Sequence, residues 1–144
     1  MRTLIAAALV AWLTGCGGSD KPETRGQSTE NISSAAEEEA AILGREIFDL
    51  VDQAMSYRSS HRGRLPKSLR ELGIDELTTS TSRSLSLTGN VLQVTVGFRQ
   101  PAGRTLVGCR GTSAVLEEAS LSGGEFSVIC NLVQGGSTTL RARR

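Results

Sequence analysis

Ser34-Ala-Ala-Glu-Glu-Glu-Ala40-Ala-Ile-Leu-Gly-Arg-Glu-Ile47-Phe-Asp-Leu50-Val-Asp-Gln-Ala54-Met-Ser-Tyr57-Arg-Ser-Ser-His-Arg-Gly63-Arg-Leu-Pro66 decides the fold. Its apolar residues recur at Ala36, Ala40, Leu43, Ile47, Leu50, Ala54 and Tyr57, alternating steps of four and three. That spacing draws one stripe along a helix of about 3.6 residues per turn. Phe48, Val51 and Met55 widen the stripe on one side. Ser34 and Glu37 fit a capping box, in which a hydroxyl and a carboxylate reciprocally satisfy free backbone donors. Glu37, Glu38 and Glu39 then fall in a first turn, and Arg58, His61 and Arg62 in a last turn, as the helix dipole favours. Gly63 suits a left-handed C-cap, and Pro66 forbids continuation. A helix from Ala35 to Arg62 is about 42 Å long. Its first two turns offer only Ala to a core, so they are expected to project as a stalk, with burial starting near Leu43. Gly44, mid-helix, costs about 1 kcal/mol relative to Ala; it reads as a hinge, as a tolerated glycine or as a close backbone contact.

Upstream of this helix the chain changes character. Arg2 supplies a positive start, and Leu4 to Leu13 is an Ala-rich apolar run. Such a run rises about 15 Å, half a bilayer core, so it suits a signal peptide and not a membrane span. Leu13-Thr14-Gly15-Cys16 closes it. This resembles the lipobox of bacterial lipoprotein precursors. The resemblance implies a signal peptide over residues 1–15, a diacylglycerol on the Cys16 thiol and cleavage just before it. Cys16 is thus the candidate lipidation site, and the membrane a partner through that anchor. Gly17, where similar proteins held in the inner membrane carry Asp, leans toward the outer membrane, on the periplasmic side. Residues 16–34 are polar and read as a flexible tether, because little apolar surface is available to offset ordering entropy.

Charge excludes one class of partner. Lys and Arg number 16 against 15 Asp and Glu, and without residues 1–15 the counts are equal, since only Arg2 is lost. No net field gathers nucleic acid. Two cysteines remain once Cys16 is acylated, and an even pair in an oxidising compartment reads as a disulfide, Cys109 with Cys130.

The second half reads as short strands. Pro66 to Leu72 suits a short helix capped by Gly73. Ile74 to Ser82 is a Ser/Thr-rich connection. Leu85 to Thr88 and Val91 to Phe98 alternate around Gly89-Asn90, which fits a two-residue II′ hairpin with Leu92, Val94, Val96 and Phe98 facing the core. Thr105 to Arg110 is a third strand, with Val107 and Cys109 expected on one face. Ala114 to Leu121 is open between strand and helical turn, and strand is the expectation. Glu125 to Val133 is strongly strand-like, with Phe126, Val128, Cys130 and Leu132 on one face. Thr138 to Leu140 suits a last edge strand before a frayed basic tail, Arg141 to Arg144. The fold class is therefore α+β: a long N-terminal helix packed on an antiparallel sheet of about four strands.

Ala54, Tyr57, Gly63, Leu65, Pro66, Leu69 and Leu72 carry a second resemblance, over residues 42–74. There the chain is similar to type IV pilins and the pseudopilins of type II secretion. In these a long helix runs into Tyr, a polar stretch, Gly, Leu or an aromatic, Pro and a Leu-containing turn. The resemblance implies a pilin-like domain over residues 35–144, its helix laid across an antiparallel sheet. It does not extend to filament formation. Pilins begin with a prepilin-peptidase site and an apolar half-helix, where this chain has a lipobox and a Glu/Ala-rich segment.

No constellation points to catalysis. His61 is the single histidine; Ser59 or Ser60 beside it does not make a triad, because sequence neighbours lack the geometry. One His and two separated Cys form no metal cluster. No glycine run opens a phosphate loop, so no cofactor is implied. Asp49 and Asp52 read as a solvated helix face. The basic stretch Arg58 to Arg70 suits lipid headgroups or an acidic partner, and equally a solvated helix end. The expected role is a non-enzymatic interaction or assembly module in the cell envelope, linked to a pilus or secretion apparatus. The alternative is a pilotin-like accessory lipoprotein of the outer membrane, unrelated to pilins.

Overall fold

The computed structural model describes the backbone over residues 24–144 and side chains from residue 34. Helix α1 spans Thr24–Ser60, 37 residues. Residues 24–34, read as tether, are thus helical. Elongating an existing helix adds a hydrogen bond for each residue fixed, and no proline interrupts residues 24–33. Ser34 and Glu37 therefore lie inside α1 and not at its cap, and Glu37 to Glu39 are not a first turn. Residues 1–23, with the signal peptide, Cys16 and the start of the tether, lie outside the described residues.

The apolar stripe is buried as its spacing requires. Leu43, Ile47, Val51 and Ala54 are fully shielded, and Phe48 and Leu50 nearly so. Each such aliphatic or aromatic side chain contributes about 1.5–3 kcal/mol on burial. Contact begins at Ala36 and Ala40, both buried, so a stalk up to Leu43 is not what forms. Small residues are the reason: they let the helix backbone approach the sheet. Gly44 is the limiting case, since a Cβ there would stand 2.3 Å from Ala142 Cβ. Close approach, and not a hinge, explains this glycine.

α1 stops at Ser60, two residues before the expected Arg62. Gly63 caps it as expected, at φ 83°, with Arg62 beside it at φ 56°. The Gly63 amide reaches back to the Arg58 carbonyl at 2.9 Å. Pro66 is buried. The expected short helix contracts to a 3-10 turn, Leu69–Leu72, closed by Gly73 in the left-handed region.

Five strands follow: β1 (Thr81–Thr88), β2 (Val91–Phe98), β3 (Leu106–Thr112), β4 (Glu125–Leu132) and β5 (Ser137–Arg143). They form an antiparallel meander in the order β1-β2-β3-β4-β5. The α+β class stands, with five strands in place of about four. The last strand, expected over Thr138 to Leu140, is a full member of the sheet and runs to Arg143: Arg141, Ala142 and Arg143 pair with Ser127, Phe126 and Glu125. The basic tail does not fray, and Ala142 sits buried beneath Gly44. The β1–β2 hairpin has Thr88 opposite Val91 and Gly89 at φ 61°, as a II′ turn needs.

Two expectations are corrected in the middle of the chain. Ala114–Leu121 is a helix, α2. Val115 and Ala119, one turn apart, are buried while Leu121 is 83 % exposed, which is helical and not alternating spacing. In β3 the register shifts between Leu106 and Gly108, a bulge at Val107. The extra residue turns Val107 outward, so it does not share a face with buried Cys109.

α1 runs along β3 on the inner face of the sheet. Near the strand's start, Glu39 accepts the Thr105 and Leu106 amides at 3.1 and 2.7 Å. Near its end, a Cβ at Gly111 would meet Ile47 Cγ2 at 2.8 Å. To one flank Gly44 touches β5; to the other Glu46 pairs with Arg83 of β1 and accepts from Thr81 Oγ1 at 3.0 Å.

Candidate functional site

The end of α1 and the turn after it are held as one unit by Tyr57. The His61 ring stacks on the Tyr57 ring, centroids 3.7 Å apart and planes 10° from parallel. The Arg64 guanidinium lies 5.4 Å from the same ring's centroid and donates to its hydroxyl. Arg64 also pairs with Glu71 at 3.4 Å. The Lys67 amide donates to the other Glu71 oxygen at 3.0 Å. That amide first, and the Arg64 charge as well, hold the Glu71 carboxyl below its ordinary value, against a partial desolvation that raises it. Residues 61–67 are thereby fastened to the helix on one side and to the 3-10 turn on the other.

Four cations are left facing outward. Arg58, Arg62, Lys67 and Arg70 are exposed, and none forms an ion pair among the described residues. Ammonium and guanidinium groups carried on a fixed turn can bind anions. His61 Nδ1 meets only the Tyr57 carbonyl and Ser60 Oγ, each at 2.9 Å. Ser59 and Ser60 hydroxyls turn back to helix carbonyls, and no carboxylate orients the imidazole.

Cys109 and Cys130 are brought together. They face each other across β3 and β4 with Cα atoms 4.0 Å apart and sulfurs at disulfide distance. Both are buried in the core under α1, which makes the bridge a structural staple. Asp49 and Asp52 stay exposed on the outward face of α1. Among the described residues no group of three or more His, Cys, Asp or Glu could hold a metal ion, and no helix is long and apolar enough to cross a membrane.

The sheet's outer face carries a feature that strand-by-strand reading misses. α2 places Glu118 against Ser127 Oγ at 3.0 Å and against Arg141, which donates to Ser127 Oγ at 2.9 Å. The Ser127 hydrogen bonds, backbone first, then Arg141, hold the Glu118 carboxyl below its ordinary value. Beside this cluster is an open groove of about 480 Å³ lined by Gln93, Arg110, Thr112, Val115, Ile129 and Thr139. A second hollow of about 490 Å³ lies by Phe48, Leu116, Arg143 and Arg144. Reading Ala114 to Leu121 as a strand hides both, because each depends on α2 folding back over the sheet. A helical reading of Val115 and Ala119 would have exposed them.

The chain matches no protein-family model, and comparison with curated proteins and with solved structures finds no match either.

Proposed function

We propose that this chain is a lipid-anchored protein on the periplasmic side of the cell envelope, a non-catalytic interaction or assembly module. The observation that carries the reading is Leu13-Thr14-Gly15-Cys16, set behind one positive residue and a short apolar run. Acylated at Cys16 and cut before it, the chain would hold its folded part near a membrane, and Gly17 favours the outer one. The disulfide between Cys109 and Cys130 is consistent with an oxidising compartment.

A pilin-like domain is the finer reading of the fold. It is supported by the long helix along an antiparallel sheet and by the Tyr57, Gly63 and Pro66 turn that joins them. On this reading the protein serves a pilus or secretion apparatus without building its filament. The lipobox, in place of a prepilin-peptidase site and an apolar half-helix, also favours the second reading: a pilotin-like accessory lipoprotein unrelated to pilins.

Metabolic labelling with radioactive palmitate tests the anchor. Wild type is expected to be labelled, and Cys16→Ser to lose the label and leave the membrane fraction or accumulate unprocessed. Equal labelling of both forms would refute it.

A further inference from the structure

We propose that the cations at the end of α1 form the docking surface for an acidic polypeptide segment of the partner. This rests on the interaction-module reading above and names the chemistry of what is bound. Between residues 58 and 70 the sequence holds Arg58, Arg62, Arg64, Lys67 and Arg70 and no carboxylate. Arg64 is committed to Tyr57 and Glu71. The other four are exposed and unpaired among the described residues.

Elsewhere several carboxylates have partners within the fold: part-buried Glu46 has Arg83, part-buried Glu39 has two backbone amides, and Glu118 has Arg141 at the surface. At the helix end the framework is fixed, and four exposed cations within thirteen residues of sequence are not paired among the described residues. The Tyr57–His61 stack and the Glu71 bonds set the turn, so on binding a partner orders the cationic side chains and not the backbone that carries them. Carboxylates complement them directly, two oxygens to each guanidinium fork.

An anionic membrane is the competing occupant, and the charge distribution along α1 disfavours it. The helix is about 55 Å from Thr24 to Ser60. Standing upright from an anchor ahead of Thr24, it carries the basic end to the far side of the domain. Lying flat, it would press its exposed face to lipid, and that face shows Glu37, Glu38, Asp49 and Asp52 against Arg45. Like charge repels it from anionic headgroups. A polypeptide bearing Asp and Glu reaches the basic end in either pose.

Labelled poly-L-glutamate is the probe, with binding read by fluorescence anisotropy on the full chain carrying Cys16→Ser. Arg58→Glu/Lys67→Glu/Arg70→Glu is expected to weaken binding roughly tenfold or more, the sum of three modest surface pairs. Arg58→Gln/Lys67→Gln/Arg70→Gln, which introduces no repulsion, should lose part of that. Reversing Arg45 and Arg143 should leave binding within about twofold. Binding should fall with added salt. The proposal is overturned if wild type does not bind the probe, or if the three reversals bind it as wild type does. Flotation with phosphatidylglycerol-containing over phosphatidylcholine-only vesicles separates the lipid case. A preference for the anionic vesicles that the three reversals abolish would assign the cations to headgroups and overturn the proposal. No preference supports it. Palmitate labelling at Cys16, read on otherwise wild-type chain, fails or succeeds independently of these outcomes.

Discussion

The two ends of the described part of α1 use charge and small residues in opposite ways. Upstream, from Ala36 to Phe48, the helix presses into the sheet. Alanines and Gly44 bring its backbone down to Ala142, and Glu39 and Glu46 are spent on β3 amides and on Arg83. Downstream, from Tyr57 to Arg70, polar rings and one carboxylate fix a turn, and four cations remain outward. Where the helix is scaffold, the carboxylates that face the sheet, Glu39 and Glu46, are satisfied within the fold. Where charges are left unsatisfied on a rigid frame, they are available to something else. The contrast predicts which changes should cost stability and which should cost only binding.

The largest expected loss of stability is at the staple under the upstream end. The loop closed by Cys109 and Cys130 spans 21 residues, and cross-linking it removes about 3 kcal/mol of denatured-state freedom. Cys109→Ala/Cys130→Ala should lower the urea-unfolding free energy by about that amount while leaving poly-L-glutamate binding by the folded chain unchanged. A binding loss with no stability loss would invert the assignment of the two ends.

Gly44→Ala comes next. Helix propensity alone favours it by about 1 kcal/mol, but overpacking against Ala142 costs about 1–3 kcal/mol. The expected net effect is destabilisation, recovered in good part by adding Ala142→Gly. A double-mutant cycle measures the coupling. A Gly44→Ala protein more stable than wild type would show that α1 and β5 do not touch there.

Much of this was legible beforehand, and the reasons differ by region. The stripe from Ala36 to Ala54 declares α1 because helix and strand periods do not mimic each other over so many turns. The β1–β2 hairpin was legible from strict alternation on either side of Gly89-Asn90. Four things were hidden. The α2 segment reads as a strand, although its buried Val115 and Ala119 lie one helical turn apart. The helix's true start carries no apolar period, only permissive residues. The bulge at Val107 breaks alternation by one residue, a shift no single strand announces. The last strand, expected over Thr138 to Leu140, has its extension to Arg143 hidden because only Ala142 there is deeply buried, and its place is set by a contact with Gly44 that is distant in sequence. Of the candidate site, the basic stretch was visible as composition. That four cations are free while Arg64 is not depends on Tyr57 and Glu71, which only the fold brings together.

A smaller effect is expected at Glu71. Its carboxyl is held below the ordinary value of 4.5, so it is charged in the fold at pH values where the unfolded chain would begin to protonate. The stabilisation from this group is present above 4.5 and is lost as pH falls through the lowered folded value. Glu71→Gln should therefore melt slightly below wild type near neutrality, and the gap should close in acid. A gap that widens on acidification would contradict the Lys67 and Arg64 contacts.

The claim that the downstream end is surface and not scaffold is tested most directly by urea unfolding of Arg58→Glu/Lys67→Glu/Arg70→Glu. Substitutions at exposed positions that support nothing usually stay within about 0.5 kcal/mol each, so the unfolding free energy should stay within about 1.5 kcal/mol of wild type. A loss of about 3 kcal/mol, equal to that expected on removing the disulfide, would mean these cations hold the fold together, and the distinction between the two ends of α1 would not stand.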